Sequence, residues 1–438
     1  MTAEIAIMNK EAIALASDSA VTSIQENGQK IFTSANKLFS LSKYHPVGIM
    51  IFGSAEFMGV PWETIIKIYR NYLGEKKFDT LKEYVNDFTD FLDNGSPLFP
   101  DSVQKEYLLF TVYGYFQFIR GKIEEEVELI IGEKGEITPK DIKKITSDVI
   151  KADHDKWKKT IRLPSIPESH ARDIIEKYGK NIEELKKEVF EELSISKRLY
   201  TRLEEIATSL FCKFREDVAS ANTSGIVIAG FGEKDIFPSL KLLGVEGVVN
   251  NKLIYKEISS AEISFENSAM IMPFAQREMV DTFMEGIDPH YRFLNESYIT
   301  EMFEKHTELI TENIKKYSHE EKQKLKSKLK KLSRKILADY QKELKNHRKE
   351  TYTAPVMTVV SMLPKDELAA MAESLVNLTS FKRKVTLETE TVGGPIDVAV
   401  ISKGDGFIWI KRKHYFKPEL NPQFLANYYK KVGNYEEE

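Results

Sequence analysis

Hydrophobic and polar residues alternate in short blocks over residues 2–55. EIAIM, AIALAS, KIFT, KLFSLS and VGIMIFGS are apolar or alternating runs of strand length, and polar turn residues separate them. Alternation with a period of two is typical of β-strands, so this segment predicts a β-rich core. The next stretch, AEFMGVPWETIIKIYRNYL, predicts a helix over residues 55–73.

Further along, helical and strand-like patterns take turns. A Lys- and Glu-rich stretch with apolar residues at helical spacing, as in NIEELKKEVFEEL, gives way to strand-like SGIVIAGFG, PSLKLLGVEG and KLIYKEISSAEISF. After a second helical stretch, a helix (KDELAAMAESLVNLTSF) precedes three predicted strands, KVTLETE, PIDVAVISK and DGFIWIKR. We therefore predict an α+β core in three segments with two helical insertions. The predicted parts are core 1–74, helical insertion 75–199, core 200–289, basic helical insertion 290–354, core 355–416 and polar tail 417–438.

Composition limits the function classes. The chain has 438 residues, a net charge of −4 and 42% hydrophobic residues, which is typical of a soluble globular protein. Its one cysteine, Cys212, excludes an internal disulfide and a multi-cysteine zinc site. No apolar run has the length of a membrane span, and no secretory signal is visible at the N-terminus, so we expect a cytoplasmic protein. GFGEKD lacks the downstream glycine and helix of a phosphate loop, and no cofactor is predicted.

Thr2 directly follows the initiator methionine and is a candidate nucleophile. Removal of Met1 would place a free α-amine and a hydroxyl on one residue. The amine has a reference pKa of about 8, so it is a usable base for the hydroxyl proton near neutral pH. Activation by an adjacent base is how a weak hydroxyl nucleophile becomes reactive.

Three further residues complete this candidate site. A hairpin of the first two strands would bring Asp18 back beside Thr2. Lys37 opens the next apolar strand; its charge would lower the amine pKa, and Asp18 would hold it in place. Gly53 lies at a predicted strand-to-helix junction, where unshielded backbone N–H groups could bind an oxyanion.

These segments, in this order, carry a family resemblance. The series T…IALASDSAVT…KIFTSANKLFSLS…VGIMIFGSAEF resembles the first half of proteasome β-type subunits and their bacterial relatives. The spacing from Thr2 to Asp18 matches that family. SGIVIAGFGEKDIFPSLKLLGVEG and VGGPIDVAVISKGDGFIWI are similar to its central hairpin and late strands. The resemblance covers roughly residues 2–73, 200–290 and 355–412.

The resemblance implies the four-layer αββα sandwich of the N-terminal-nucleophile hydrolases. It implies Thr2 as nucleophile, Asp18 orienting Lys37, and the Gly53 N–H as oxyanion donor. The substrate would be a peptide or amide. Homo-oligomers are also implied, with an ATPase or adaptor as a candidate partner. Three residues would line an apolar specificity pocket: Val21, Ile51 and Ala55.

Two supporting positions depart from the family pattern. Where the family has a Gly-Ser-Gly turn, this chain has Ala275 and Gln276, and Val392 stands at the position of a second serine. Glu388 or Glu390 is a candidate replacement for the late carboxylate. Two alternatives to a peptidase therefore stay open: a catalytically silent scaffold or binding protein, and an amidase of the same fold that acts on a small molecule.

The remaining polar features favour structural interpretations. Cys212 lies on an apolar face and is predicted to be a core residue, and the eight histidines lack the short spacing of metal ligands, so no metal is predicted. Residues 315–350 hold 14 Lys or Arg against 5 acids, after a capping box from Ser318 to Glu321. We interpret this segment as an amphipathic helix with a solvated basic face; nucleic-acid binding is the weaker reading. Its predicted apolar stripe comprises Leu325, Leu329, Leu332, Ile336, Tyr340 and Leu344.

Overall fold

A computed structural model of the chain describes residues 2–25, 28–93, 97–193, 195–214, 223–386, 392–423 and 426. Helices and antiparallel strands are both abundant, so the fold is mixed α+β. The strands are β1 (Ala3–Asn9), β2 (Ala12–Ser17), β3 (Val21–Gln25), β4 (Gly28–Phe32), β5 (Leu38–Ser40), β6 (Val47–Gly53), β7 (Glu56–Phe57), β8 (Val60–Pro61), β9 (Ser224–Gly230), β10 (Ser239–Val249), β11 (Lys252–Glu262), β12 (Ala269–Ala275), β13 (Asp397–Ser402) and β14 (Gly406–Lys411).

The helices fall into two groups along the chain. Of the helices in the described residues, six stand between β8 and β9 and five follow β12. They are α1 (Trp62–Leu73), α2 (Leu81–Leu92), α3 (Asp101–Lys134), α4 (Pro139–Lys159), α5 (His170–Phe190), α6 (Lys197–Ser209), α7 (Glu278–Glu285), α8 (Pro289–Asn313), α9 (His319–Arg348), α10 (Ala354–Val360) and α11 (Lys365–Val385). A π-helical turn at Lys349–Thr353 joins α9 to α10.

The chain divides into two units. The first comprises Met1–Leu38 and Glu262–Glu438, and the second comprises Phe39–Ala261. The first contains a five-stranded sheet in the order β12-β1-β2-β13-β14, and the second contains one in the order β11-β10-β9-β6-β5. Each unit therefore has its own sheet and its own helices.

The β1–β2 hairpin is the central feature of the first unit. Asn9 closes its turn, because its side-chain oxygen accepts hydrogen bonds from the N–H groups of Glu11 and Ala12 at 3.0 and 3.1 Å. Asn side chains commonly stabilise turns in this way. The pairing that results sets Glu4 opposite Ser17.

Helix α11 covers one face of this first sheet. The small and branched residues Ile5, Ala16 and Val398 lie in register across three strands and are fully or almost fully buried. Leu368, Ala372 and other apolar residues of α11 share their core cluster. Small side chains on the strands allow the helix to lie close to the sheet. The opposite face, which includes Glu4, Ala6 and Met8, is buried as well.

The second unit contains two apolar cores. Its sheet packs against α1 and α2, with Trp62, Tyr69 and Phe88 among the fully buried side chains. Helices α3 to α6 form a separate bundle. Inside this bundle the Tyr115 hydroxyl donates to Asp153 at 2.8 Å and accepts from the Trp157 indole at 2.7 Å. These three polar side chains thus satisfy one another inside the bundle, as buried polar groups generally do.

Two sequence predictions of secondary structure are wrong in part. The helix predicted over 55–73 begins only at Trp62, because Met58 and Gly59 adopt positive φ angles of 51° and 80° and form a turn between β7 and β8. The predicted strand KVTLETE starts inside α11, which continues to Val385. Residues 387–390, which complete it, lie outside the described residues, as does most of the polar tail.

Helices α8 and α9 form an antiparallel hairpin. Lys326 on α9 pairs with Glu308 on α8 at 2.9 Å, and the capping box from Ser318 to Glu321 is present. The predicted apolar stripe of α9 is divided: Leu325 is half-buried, whereas Leu332 is 54% and Ile336 is 45% exposed. A helix that packs against a single neighbour cannot cover so wide a stripe.

Within the described part of the chain, every helix falls short of the length and apolarity that a bilayer crossing requires.

Candidate active site

The polar residues predicted to act together meet at one end of the first unit's sheet. Thr2 immediately precedes β1, and Asp18 immediately follows β2. The N–H of Asp18 donates to the carbonyl of Ala3 at 3.1 Å, which continues the hairpin pairing past Ser17. The hairpin thus places Asp18 beside the first residues of β1, as the sequence pattern predicts.

Lys37 connects these two residues. Its Nζ lies 2.9 Å from the Thr2 hydroxyl oxygen, 2.7 Å from Asp18 Oδ1 and 2.5 Å from the carbonyl oxygen of Ala20. The lysine is only 4% exposed. Three acceptors match the three protons of an ammonium group, whereas a neutral amine has two. The geometry therefore fits a charged Lys37 that donates one hydrogen bond to the Thr2 hydroxyl.

The Asp18 carboxylate is held by the backbone as well as by Lys37. Oδ1 accepts from the N–H of Ala3 at 3.1 Å, and Oδ2 accepts from the N–H groups of Ala20 and Gly393 at 3.2 and 2.9 Å. Its side chain is fully buried. Hydrogen bonds to a charged acceptor are stronger than those between neutral groups, so this carboxylate is a fixed anchor for Lys37.

Burial changes the protonation of this cluster. Burial lowers the pKa of Lys37 below its ordinary value, while the negative charges of Asp18 and Glu4 oppose that change. Burial raises the pKa of Glu4 well above its ordinary value, and the positive charge of Lys37 opposes it only in part. Shifted pKa values on interacting neighbours are characteristic of functional sites.

Glu4 is a site residue that the sequence analysis did not identify. It is two residues after Thr2 on β1 and 2% exposed, and its Oε1 lies 3.3 Å from the Ser17 hydroxyl oxygen. A signal was present in the sequence, since an acidic residue interrupts an otherwise apolar strand. Charged residues are seldom buried without a specific reason.

The position that the resemblance assigns to a serine is occupied differently here. The N–H of Gln276 donates to the carbonyl of Thr2 at 3.1 Å, after Ala275 adopts a positive φ of 59°. The Arg383 guanidinium donates to the Gln276 side-chain oxygen. Gln276 is therefore bound to Thr2 through the backbone and to α11 through its side chain.

The second altered position is apolar in its surroundings. Val392 is 4% exposed and belongs to the core cluster under α11. A serine hydroxyl there would need a partner that this cluster of apolar side chains does not offer. Glu388 and Glu390, the candidate replacements for the late carboxylate, lie outside the described residues.

The predicted oxyanion and pocket residues are divided between the units. Val21 begins β3 in the first unit, whereas Ile51, Gly53 and Ala55 belong to the second. Gly53 ends β6 with a φ of 86°, and the β7–β8 hairpin follows it. The predicted strand-to-helix junction at Gly53 is therefore wrong, since the helix begins nine residues later at Trp62.

Other reactive side chains show no comparable arrangement. Cys212 is 4% exposed in the turn after α6, and burial raises the pKa of its thiol, which disfavours the reactive thiolate. Over the described ranges, no three His, Cys, Asp or Glu residues are grouped as metal ligands would be.

Comparisons with known proteins leave the family unassigned. No protein-family model matches the chain, and no curated protein matches it. It is similar to a solved structure of an Anbu (Gly-1) mutant from Hyphomicrobium sp. strain MC1, with a TM-score of 0.30, 8% sequence identity and full coverage of both chains. A similarity of this size carries no argument about fold or activity.

Proposed function

We propose that this chain is a threonine hydrolase that cleaves peptide or amide bonds with Thr2 as an N-terminal nucleophile after Met1 is removed. The observation that carries this proposal is the bridge made by Lys37, whose Nζ lies 2.9 Å from the Thr2 hydroxyl and 2.7 Å from Asp18. A hydroxyl nucleophile needs an activating group within hydrogen-bond reach, and that activating group needs a further group that orients it.

The reaction would proceed in two steps. The Thr2 amine accepts the hydroxyl proton, and Oγ forms a bond to the substrate carbonyl carbon. The C–N bond then breaks, the Thr2 ammonium returns the proton to the leaving amine, and an acyl ester remains on Oγ. The same amine then takes a proton from water, whose oxygen attacks the ester carbonyl carbon; the C–Oγ bond breaks, the acid leaves, and the ammonium returns the proton to Oγ. Lys37 stabilises the negative charge that develops on Oγ during attack, where a buried cation is most effective.

The resemblance to proteasome β-type subunits adds the finer parts of the proposal. These are the αββα order of layers, the Gly53 N–H as oxyanion donor, and an apolar pocket at Val21, Ile51 and Ala55. A homo-oligomer, an ATPase or adaptor partner and a cytoplasmic location also belong here. Each of these stays a prediction.

A catalytically silent scaffold is the second candidate. Gln276 and Val392 favour it, because they occupy the two positions where the resemblance expects serines that assist the nucleophile. The described site nevertheless keeps the nucleophile, its lysine and its carboxylate in contact, which a scaffold does not require.

Intact-mass spectrometry with a peptide epoxyketone tests the proposal, because this reagent reacts with the hydroxyl and the amine of an N-terminal threonine. The chain would be released from a cleavable fusion partner so that Thr2 comes first, and compared with a chain that keeps Met1. We expect one adduct on the Thr2-first chain and none on the Met1 chain, on Thr2→Ala or on Lys37→Ala. Lys43→Ala changes an exposed lysine six residues after Lys37 in the sequence. It is the matched control and should label at the normal rate. A Thr2-first chain that never labels would favour the scaffold.

A further inference from the structure

Glu4 is a buried acid within the same polar cluster as the candidate nucleophile. Alternation along β1 places it on the face of Thr2, away from Ala3 and Ile5, which pack under α11. Its Oε1 contacts the Ser17 hydroxyl, and its Oε2 is buried with no hydrogen-bond partner in the described part of the chain. An ionised carboxylate in this position would leave one charged oxygen unsatisfied, at a large energetic cost.

Counting protons gives the same answer by a second route. The Ser17 oxygen lies 3.3 Å from Glu4 Oε1 and 3.1 Å from the carbonyl oxygen of Asp18, and both contacts have donor geometry for the serine. A hydroxyl has one proton and can donate to only one of them. If Glu4 carries a proton on Oε1, it donates to Ser17, and Ser17 donates to the Asp18 carbonyl. Both contacts are then satisfied, so the geometry fits a neutral Glu4.

The charges around Glu4 come from several elements. Asp18 follows β2, Lys37 precedes β5, and both interact electrostatically with Glu4. On the β12 side its neighbour in register is the apolar Phe274. On the far side of Ser17 lies Asp397 of β13, which is buried and paired with Lys413. Lys37 is therefore the cation that a charge on Glu4 would influence most directly.

We propose that Glu4 is a positioning residue of this site: it is neutral at neutral pH, gives up its proton before Lys37 does as the pH rises, and as an anion then keeps Lys37 charged. This inference rests on the proposed function, because its consequence is that Thr2 stays reactive to higher pH. The order of proton loss follows from the contacts. Loss of a proton from Lys37 would leave one of its three acceptors without a donor, whereas loss from Glu4 creates an attractive pair.

The pH profile of Thr2 labelling by the epoxyketone tests this role. The acid limb reports the Thr2 amine, and the alkaline limb reports the loss of the Lys37 proton. We expect Glu4→Gln to move the alkaline limb to lower pH by about one unit, which is about a tenfold change in the proton equilibrium of Lys37. Glu11→Gln, a change at an exposed acid in the β1–β2 turn, is the matched control and should not move either limb. An alkaline limb in the same place for Glu4→Gln and the wild type would overturn the proposal.

Infrared spectroscopy supplies a readout that needs no Thr2 activity, and it is run on Glu246→Gln so that the raised pKa of Glu246 adds no second neutral carboxyl. A neutral buried carboxyl has a carbonyl stretching band apart from those of carboxylates. We expect this band at neutral pH, and we expect it to disappear on alkaline titration before labelling falls. Its absence at neutral pH would overturn the neutral Glu4 even if Thr2 labels normally. A band in a chain that never labels would overturn the proposed function instead, and the positioning role with it.

Discussion

Two lysines in different units are almost completely buried, yet only one is placed for chemistry. Lys37 in the first unit is 4% exposed, and Lys186 in the α3–α6 bundle of the second is 2% exposed. Lys37 pairs with a fully buried carboxylate and donates to a hydroxyl. Lys186 pairs with Glu183 at 2.6 Å and Glu204 at 3.3 Å, whose side chains are 43% and 40% exposed.

The difference shows that burial by itself does not identify a functional lysine. Lys186 buries its aliphatic stem and directs its charge to surface carboxylates, as long cationic side chains commonly do at the edge of a core. Lys37 has its charge, its counter-charge and its acceptor hydroxyl all inside the protein. Burial lowers the pKa of Lys37, and an ammonium held in such surroundings can stabilise charge on a neighbouring oxygen.

The largest expected effect distinguishes the two lysines by activity. Lys37→Met removes the cation beside the Thr2 hydroxyl, and we expect the rate constant for labelling of the Thr2-first chain to fall by about 10²–10³-fold, the usual cost of removing one group that stabilises developing charge. Lys186→Met should leave that rate constant within about twofold of the wild type, since its ion pairs lie at the surface. Equal losses in both variants would mean that the assay reports folding rather than chemistry.

The next effect concerns how much the carboxylate paired with each lysine contributes to the free energy of unfolding. Asp18→Asn keeps the shape of the side chain but leaves Lys37 without a buried anion. We expect the free energy of unfolding to fall by about 3–5 kcal/mol, the usual cost of removing one partner of a buried pair. Urea unfolding followed by circular dichroism measures this. A loss below about 1 kcal/mol would show that the Lys37–Asp18 pair behaves like a surface pair. Lys37 and Lys186 would then not differ in the strength of their ion pairs.

An intermediate effect concerns a half-buried acid of the second unit. Burial raises the pKa of Glu246 on β10 from 4.5 to about 8. The folded chain then holds a proton that the unfolded chain releases above pH 4.5, so this residue makes stability fall as pH rises from about 4.5 to about 8. The slope from one such group is about 1.4 kcal/mol per pH unit. Glu246→Gln should flatten that part of the profile in urea unfolding at several pH values, and an unchanged slope would contradict the assignment.

The smallest effect is expected at the partner of Lys186. Glu204→Gln removes a half-exposed carboxylate 3.3 Å from the lysine and leaves Glu183 in place. We expect a change below about 1 kcal/mol in the free energy of unfolding, because solvent screens such pairs. A loss as large as that of Asp18→Asn would place the Lys186 cluster in the same class as the candidate site.

Local pattern was sufficient for much of the first unit. EIAIM and AIALAS are short, mainly apolar runs joined by a short turn, so their pairing and the position of Asp18 beside β1 follow from sequence separation alone. The capping box from Ser318 to Glu321 is equally local and is present. These features depend on neighbours within a few residues, which is the range over which a sequence pattern is informative.

The sequence by itself determined which residues are candidates for the chemistry: a threonine behind the initiator methionine, an aspartate at the end of a hairpin, a lysine before a strand. Tertiary structure decided how these residues are placed. Lys37 reaches Thr2 across 35 residues of chain, and Gly393 closes the other side of Asp18 from 375 residues away. The state of Glu4 depends on burial and on one shared serine proton, neither of which a linear pattern contains. Protonation follows from the surroundings of a group in space, and the folded chain supplies those surroundings.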